Sequence, residues 1–203
     1  MLDILDIAEV IGIISFALSG FFVASGAKLD LLGVFIASFL TALGGGVIRD
    51  IIADKSLYAF TNNLASMLVI VVVGMAIFFK IQRFNTIENN ILFILSDTLG
   101  LVSFAISGAM VGIDVGFNFF GVILLSLITA VGGGVLRDML INEVPIILTS
   151  EFYGSVALVV GTLIYLLQQI SSLNVWTILI VFIIGVLLRF VALYRDWHLP
   201  KVI

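Results

Sequence analysis

Seven long apolar stretches constrain the fold of this chain more than any other feature of its sequence. A helix of about 20 apolar residues crosses the roughly 30 Å hydrocarbon core of a bilayer. The stretches are continuous, whereas the strands of a membrane barrel alternate between apolar and polar residues. We therefore predict membrane helices at Ile7–Ala27, Leu31–Ile52, Leu64–Phe79, Leu92–Ile113, Asn118–Ile141, Phe152–Gln168 and Val175–Tyr194.

Composition supports a membrane protein and excludes several other classes. Of the 203 residues, 62% are hydrophobic and 11% are charged, against roughly 25% charged in typical soluble domains. The chain has no cysteine and one histidine, His198, which excludes disulfides and multi-histidine metal sites. The net charge of −4 is not that of a nucleic-acid-binding protein. We predict an all-α multi-pass protein of the cytoplasmic membrane that contacts lipid, binds no metal or cofactor and is not an enzyme.

The distribution of basic residues predicts the orientation. The acidic start of the chain is unlike a signal peptide, so the first stretch is expected to remain as a membrane helix. With seven spans, the loops on one side carry a single basic residue, Lys55. The other side carries Lys28, Lys80, Arg83, Arg195 and Lys201. Basic residues concentrate in cytoplasmic loops, which predicts an outside N-terminus and a cytoplasmic C-terminus.

The chain contains an internal repeat with an offset of 88 residues. Residues 9–55 and 97–143 align without a gap and are identical at 18 of 47 positions. Ser-Phe-Ala-x-Ser-Gly begins at Ser15 and at Ser103, and Gly-Gly-Gly-Val-x-Arg-Asp begins at Gly44 and at Gly132. Each copy, 7–79 and 92–168, holds three spans, so the second copy should be inverted in the membrane. We predict one transmembrane domain over 1–203, with a 3+3 inverted repeat and a seventh span at 175–194. The alternative is a duplication that only built a stable bundle.

The glycine triplets lie inside the second span of each copy. Each glycine costs about 1 kcal/mol against alanine within a helix, so three in succession predict a kinked or interrupted helix that can line a path. The alternative is close helix packing through small residues. The six glycines are Gly44, Gly45, Gly46, Gly132, Gly133 and Gly134.

Charged residues within the spans must face protein or water, because each costs about 2.5–3.5 kcal/mol at a helix centre. Neighbouring positions on a helix point apart, so Arg49 and Asp50 are not expected to pair. Topology instead predicts two acid–arginine contacts within the copies, Glu9 with Arg49 and Asp97 with Arg137. These acids would lie at the two mouths of a path. A structural role in locking the helices is the alternative. Arg189, in the last span, is expected to extend toward the cytoplasmic interface.

These doubled motifs and the 3+3+1 layout resemble a prokaryotic membrane family that is often described as putative glycine transporters and is related to the TRIC (trimeric intracellular cation) channels. The resemblance implies a homotrimer with a pore in each protomer that conducts monovalent cations, chiefly potassium, with sodium as a second candidate. The pore would run beside the second and fifth spans, kinked at the glycines. A secondary transporter of a small amino acid such as glycine is the alternative. Polar residues that would line or gate the path are Ser15, Ser19, Thr41, Arg49, Asp50, Ser103, Ser107, Thr129, Arg137 and Asp138.

Overall fold

The computed structural model of the protein describes residues 4–81, 91–149, 152–170, 173–195 and 197. Within these ranges the regular secondary structure is entirely helical. The helices are α1 (Ile4–Gly26), α2 (Leu31–Ile52), α3 (Tyr58–Thr61), α4 (Asn63–Phe78), α5 (Ile91–Asp114), α6 (Phe119–Leu140), α7 (Ile146–Thr149), α8 (Tyr153–Ile170) and α9 (Val175–Tyr194). Six of them are long and apolar enough to cross a membrane, and α4 is a shorter apolar helix of 16 residues.

The predicted spans agree closely with α1, α2, α4, α5, α6, α8 and α9. The bounds of α2 and α9 are those predicted, and the other ends differ by at most three residues. The short helices α3 and α7, which follow α2 and α6, were not predicted, because a four-residue turn has no periodicity that a sequence can display. The predicted loop residues Arg83 and Lys201, and also His198, lie outside the described residues.

Positions 88 apart have the same local structure at the start of α2 and of α6. The side chains of Asp30 and Asn118 cap these helices, accepting hydrogen bonds from the third residue beyond the cap at 2.8 and 2.9 Å. Each cap follows a turn with a left-handed residue, Lys28 at φ 57° in one case and Gly116 at φ 78° in the other. Glycine adopts this conformation without the steric penalty that a side chain meets. Both turns therefore reverse the chain in the same way.

Four helices form the centre of the molecule, with α1 packed against α5 and α2 against α6. Where α1 meets α5, the rings of Phe16 and Phe104 lie 5.3 Å apart between centroids. A Cβ on Gly12 would lie 2.9 Å from the Phe104 ring, and one on Gly100 would overlap the Phe16 ring. Each glycine thus makes room for the phenylalanine of the other helix. The space beside these glycines is therefore filled by aromatic rings.

Of the kink or interruption predicted at the glycine triplets, the interruption is wrong. Both α2 and α6 continue through the triplets as α-helix. A Cβ on Gly45 would overlap the Thr129 carbonyl oxygen, and a Cβ on Gly133 would overlap the Thr41 carbonyl oxygen. The triplets therefore let α2 and α6 cross with their backbones in contact, as small residues do in other membrane helix pairs. This close packing offsets the low helix propensity of glycine.

Candidate functional site

Two groups of buried charged and hydroxyl side chains lie within the central helices. We call Glu9, Arg49, Asp50 and Ser107 the first charged cluster. Arg49 donates from Nη1 to both Glu9 and Ser107, and the Ser107 hydroxyl also bonds to Glu9. The carboxylate and guanidinium residues are each 3% exposed, and Ser107 is fully buried. The predicted contact between Glu9 and Arg49 is confirmed.

The expectation that Arg49 and Asp50 do not pair is wrong. Asp50 Oδ1 accepts from Arg49 Nε at 2.8 Å and from Nη2 at 2.7 Å. The Cβ atoms of neighbouring helix positions point apart, but the arginine side chain is long enough to fold back over the adjacent carboxylate. Because a buried charge without a partner is costly, the guanidinium takes this contact as well. Asp50 Oδ2 meanwhile accepts from the Tyr58 backbone amide at 2.8 Å, which attaches α3 to the cluster.

The second charged cluster comprises Ser19, Asp97, Arg137 and Asp138, the positions that correspond in the repeat alignment. Arg137 pairs with Asp138, with 2.8 Å from Nε to Oδ1 and from Nη2 to Oδ1. The Ser19 hydroxyl donates to Asp97 Oδ1 at 3.0 Å and lies 3.4 Å from Arg137 Nη1. In the part of the chain that the structure describes, Asp97 and Arg137 form no direct ion pair, so the predicted contact runs through Ser19. Aspartate is one methylene shorter than Glu9 in the first cluster, which explains the difference.

Each cluster therefore combines charged residues from one copy with a serine from the other. Ser107 of the second copy completes the first cluster, and Ser19 of the first copy completes the second. Glu9 lies near the start of α1 and Ser107 near the end of α5, whereas Ser19 and Asp97 lie near the opposite ends of the same helices. The ten residues from Glu9 to Ser19 correspond to about 15 Å along a helix. The clusters consequently lie toward opposite ends of the helix pair.

Two residues that the sequence did not assign to a site adjoin the second cluster. Tyr153 of α8 is 5% exposed, and its hydroxyl faces Asp97 as a hydrogen-bond donor. The Arg189 guanidinium carbon lies 4.9 Å from the centre of the Tyr153 ring, within cation–π range. The expected extension of Arg189 toward the interface is wrong, because this residue is also 5% exposed. The position of Arg189 in a long apolar stretch indicated that this residue could belong to a site, but nothing in the sequence predicted its contact with Tyr153.

The remaining predicted residues have more local roles. The Thr41 and Thr129 hydroxyls bond to carbonyls four residues earlier in their own helices, at 2.7 and 2.6 Å. Ser15 is 7% exposed. The Ser103 hydroxyl is buried and has no hydrogen-bond partner among the described residues, and Ser103 is one of the residues that line an apolar cavity between α1, α5 and α9. Gly46 and Gly134 differ from their neighbours, since a Cβ on either would meet only the arginine of its own helix, at 3.9 and 3.8 Å.

A small cavity adjoins the first cluster. It has a volume of about 10 Å³ and is lined by Glu9, Gly46, Arg49, Tyr58 and Phe104 among others. This volume accommodates roughly one water molecule and is too small for a hydrated cation. Burial raises the pKa of the Tyr58 hydroxyl, and the Glu9 and Asp6 carboxylates raise it further. Tyr58 thus remains a neutral phenol at the edge of the cluster.

Sequence comparison links both copies to one family. The family model described as "Glycine transporter" matches residues 6–83 and 94–169. The UPF0126 membrane protein YvgT of Bacillus subtilis (strain 168) is 33% identical over 200 residues, which are 97% of this chain and 95% of that protein.

Two solved structures share the fold over nearly its whole length. One comes from work on the structural basis for conductance through TRIC cation channels. It has a TM-score of 0.88 and 33% identity, and the match covers 99% of this chain and 98% of that one. The other is the TRIC trimeric intracellular cation channel orthologue from Rhodobacter sphaeroides, with a TM-score of 0.86, 25% identity and coverage of 95% and 98%. These relatives are channels and membrane proteins rather than enzymes.

Proposed function

Because this chain belongs to the Glycine transporter family, we propose that it is a channel for monovalent cations in the cell membrane, permeable chiefly to potassium and also to sodium. The observation that carries the proposal is the full-length similarity to a TRIC cation channel. Each protomer has its own path, and the channel needs no cofactor or structural metal.

The two charged clusters support a path through the centre of the protomer. Buried charges in a membrane protein mark ion pathways more often than not, and here they lie toward opposite ends of the α1–α5 pair. Glu9 and Asp97 attract cations to the two mouths, and the serines and arginines of the clusters line or gate the path. The cavity at the first cluster is too small for a hydrated cation, so this conformation is closed at that end. Opening requires the contacts of Arg49 with Glu9 and Ser107 to rearrange.

The proposed topology has seven spans, with α4 as the third, in a 3+3 inverted repeat followed by α9. Three observations support it. The two segments matched by the family model are of similar length, and positions 88 apart have the same helix caps and turns. In addition, each copy contributes a serine to the charged cluster of the other copy. The N-terminus faces the outside and the C-terminus the cytoplasm. The assembly is a homotrimer in lipid, as in the related trimeric channel.

Recording from purified protein in planar bilayers tests this function. In potassium chloride a channel gives discrete unitary currents, and in a salt gradient the reversal potential moves toward the cation equilibrium potential. The description of the family makes a glycine transporter the second candidate. Saturable, ion-coupled glycine uptake into proteoliposomes, without unitary currents, would establish the transporter and overturn the channel.

A further inference from the structure

An exposed ion pair joins the two copies beyond the first charged cluster. Lys55 Nζ lies 2.5 Å from Asp114 Oδ2. Lys55 follows the end of α2, and Asp114 is the last residue of α5. Asp114 is seven residues beyond Ser107, which corresponds to about 10 Å along the helix. The pair therefore lies outside the first cluster, at the same end of the molecule.

The same two helices are in contact within the first cluster. Arg49 of α2 donates to the hydroxyl of Ser107 in α5, and the cavity beside Arg49 has a volume of about 10 Å³. A path can open at this end only when Arg49 separates from Ser107. The position of Lys55 depends on that of α2, because its backbone N–H donates to the Asp50 carbonyl oxygen at 2.9 Å. The ion pair consequently stabilises the arrangement in which Arg49 reaches Ser107.

The short helix α3 does not oppose a movement of α2. None of its four residues is buried, and an element with few buried contacts moves at little cost. The Tyr58 backbone N–H donates to Asp50 at 2.8 Å, so α3 moves together with α2. Ala59 and Phe60 border a cavity of about 370 Å³, which gives α3 space on that side. The contacts between α2 and α5 therefore determine whether this end opens.

The second copy has no such pair at the corresponding positions. The residue 88 positions after Lys55 is Glu143, and the residue 88 positions before Asp114 is Gly26. An acid and a glycine cannot form an ion pair with each other. The lysine–aspartate contact is thus a property of one end of the molecule and not of the repeat.

We propose that the Lys55–Asp114 ion pair is a latch that keeps the Glu9 end of the channel closed and weakens as the ionic strength rises. The inference depends on the proposed channel function. The two side chains are 37% and 68% exposed, so dissolved ions screen their attraction. An exposed ion pair shifts an equilibrium between two states by up to about fivefold. With the Glu9 end outside, the external salt concentration controls the latch.

The test is the ratio of open to closed time of single channels in symmetrical potassium chloride at about 0.05 and 1 M, between which the Debye length falls from about 14 Å to 3 Å. The wild-type ratio should rise with salt by up to about fivefold. Asp114→Asn removes one charge at nearly constant volume, and should give the higher ratio already at low salt. Its ratio should then depend little on salt.

Charge reversal tests whether the pair itself is responsible. Lys55→Asp alone places like charges together and should give a ratio at low salt at least as high as that of Asp114→Asn. The double variant Lys55→Asp with Asp114→Lys restores the attraction, and should restore both the low ratio and its salt dependence. Glu143→Gln is the matched control, because Glu143 occupies the position in the second copy that corresponds to Lys55, and should behave like the wild type.

The outcomes separate this inference from the proposed function. A protein without unitary currents would contradict the channel itself. A conducting channel whose ratio does not change with salt, or is the same in Asp114→Asn as in the wild type at low salt, would overturn the inference alone. Lys55→Gln removes the pair from its other side, and provides the same measurement if Asp114→Asn does not assemble.

Discussion

At the scale of single residues, the contacts of Glu9 yield a prediction for both stability and conduction. Glu9→Gln keeps the volume of the side chain and removes a buried charge that bonds to Arg49 and Ser107. The amide oxygen can still accept one hydrogen bond, so we expect the loss of about 1–3 kcal/mol of stability together with a reduced potassium conductance. Thermal unfolding in detergent and single-channel recording measure the two effects.

Glu143→Gln is the matched control, because Glu143 is an exposed loop residue and its substitution should alter neither quantity by much. Unchanged conductance in a folded Glu9→Gln channel would remove Glu9 from the path and leave it as part of a structural ion pair.

The serine that each copy contributes to the charged cluster of the other copy gives a second prediction at this scale. Ser107→Ala removes the hydroxyl that joins Glu9 and Arg49, which should destabilise the first cluster by about 1 kcal/mol and make channel opening more frequent. Open probability is the quantity to record. Ser66→Ala is the control, because that hydroxyl makes one 3.4 Å bond to a backbone carbonyl outside both clusters. An unchanged open probability would mean that the Ser107 contact does not hold the path closed.

The charged residues of the site could be predicted from the sequence, but their pairing only in part. The contact of Glu9 with Arg49 could be predicted because both residues lie at a similar depth in their spans. The pairing of Arg49 with Asp50 could not be predicted from Cβ directions, because it depends on the length of the arginine side chain, which lets the guanidinium reach the adjacent carboxylate. Tyr153 was missed because it has no counterpart in the other copy and no charge that would mark it in an apolar span.

At the scale of helices, the crossing of α2 and α6 gives the adjacent residues Gly45 and Gly46 different surroundings, so their substitution should have different effects. Gly45→Ala would force its Cβ onto the Thr129 carbonyl oxygen, which is backbone and cannot move aside, so we expect about 1–3 kcal/mol of destabilisation. In Gly46→Ala the Cβ would meet only Arg49 at 3.9 Å. This variant should fold with equal or greater stability, since alanine is favoured in helices by about 1 kcal/mol.

Thermal unfolding of the two variants makes the comparison, with Gly133→Ala and Gly134→Ala as the corresponding pair in the second copy. Equal stability of Gly45→Ala and Gly46→Ala would mean that α2 and α6 do not cross as closely as the structure has them.

Helices were predicted well here because their apolar length is a local property of the sequence. The conformation at the glycine triplets, by contrast, depends on contacts with another helix. Propensity alone favoured an interruption, and the carbonyls of Thr41 and Thr129 against Gly133 and Gly45 determined the outcome. No pattern within one span shows which other helix will contact it, although the doubled triplet could have suggested that the two copies pack against each other.

At the scale of the whole molecule, the proposed homotrimer has a direct measurement. Native mass spectrometry of the protein released from detergent should give a mass three times that of the 21.9 kDa chain, plus any retained lipid. A species that remains monomeric or dimeric across a range of gentle activation energies would contradict the trimer, though not the fold of the protomer.

The inverted repeat makes the strongest prediction about the whole molecule, because it assigns corresponding loops to opposite sides of the membrane. Lys55 and Glu143 are 88 positions apart, and both are exposed. They lie in equivalent turns, because their backbone N–H groups donate to the backbone carbonyl oxygens of Asp50 and Asp138, each at 2.9 Å. The chain has no cysteine, so a single one can be introduced without background. In intact cells, a membrane-impermeant maleimide should label Lys55→Cys and should label Glu143→Cys only after permeabilisation.

Lys80→Cys, in the connection before α5, is the control for the cytoplasmic side and should behave like Glu143→Cys. Labelling of both Lys55→Cys and Glu143→Cys from the outside would require an even number of spans between them, and α4 would then not cross the membrane. The copies would be parallel, the two charged clusters could not lie at opposite mouths, and the proposed path would fail with the topology. Reversed labelling, with Glu143→Cys outside, would keep the path and reverse only the orientation of the protein in the membrane.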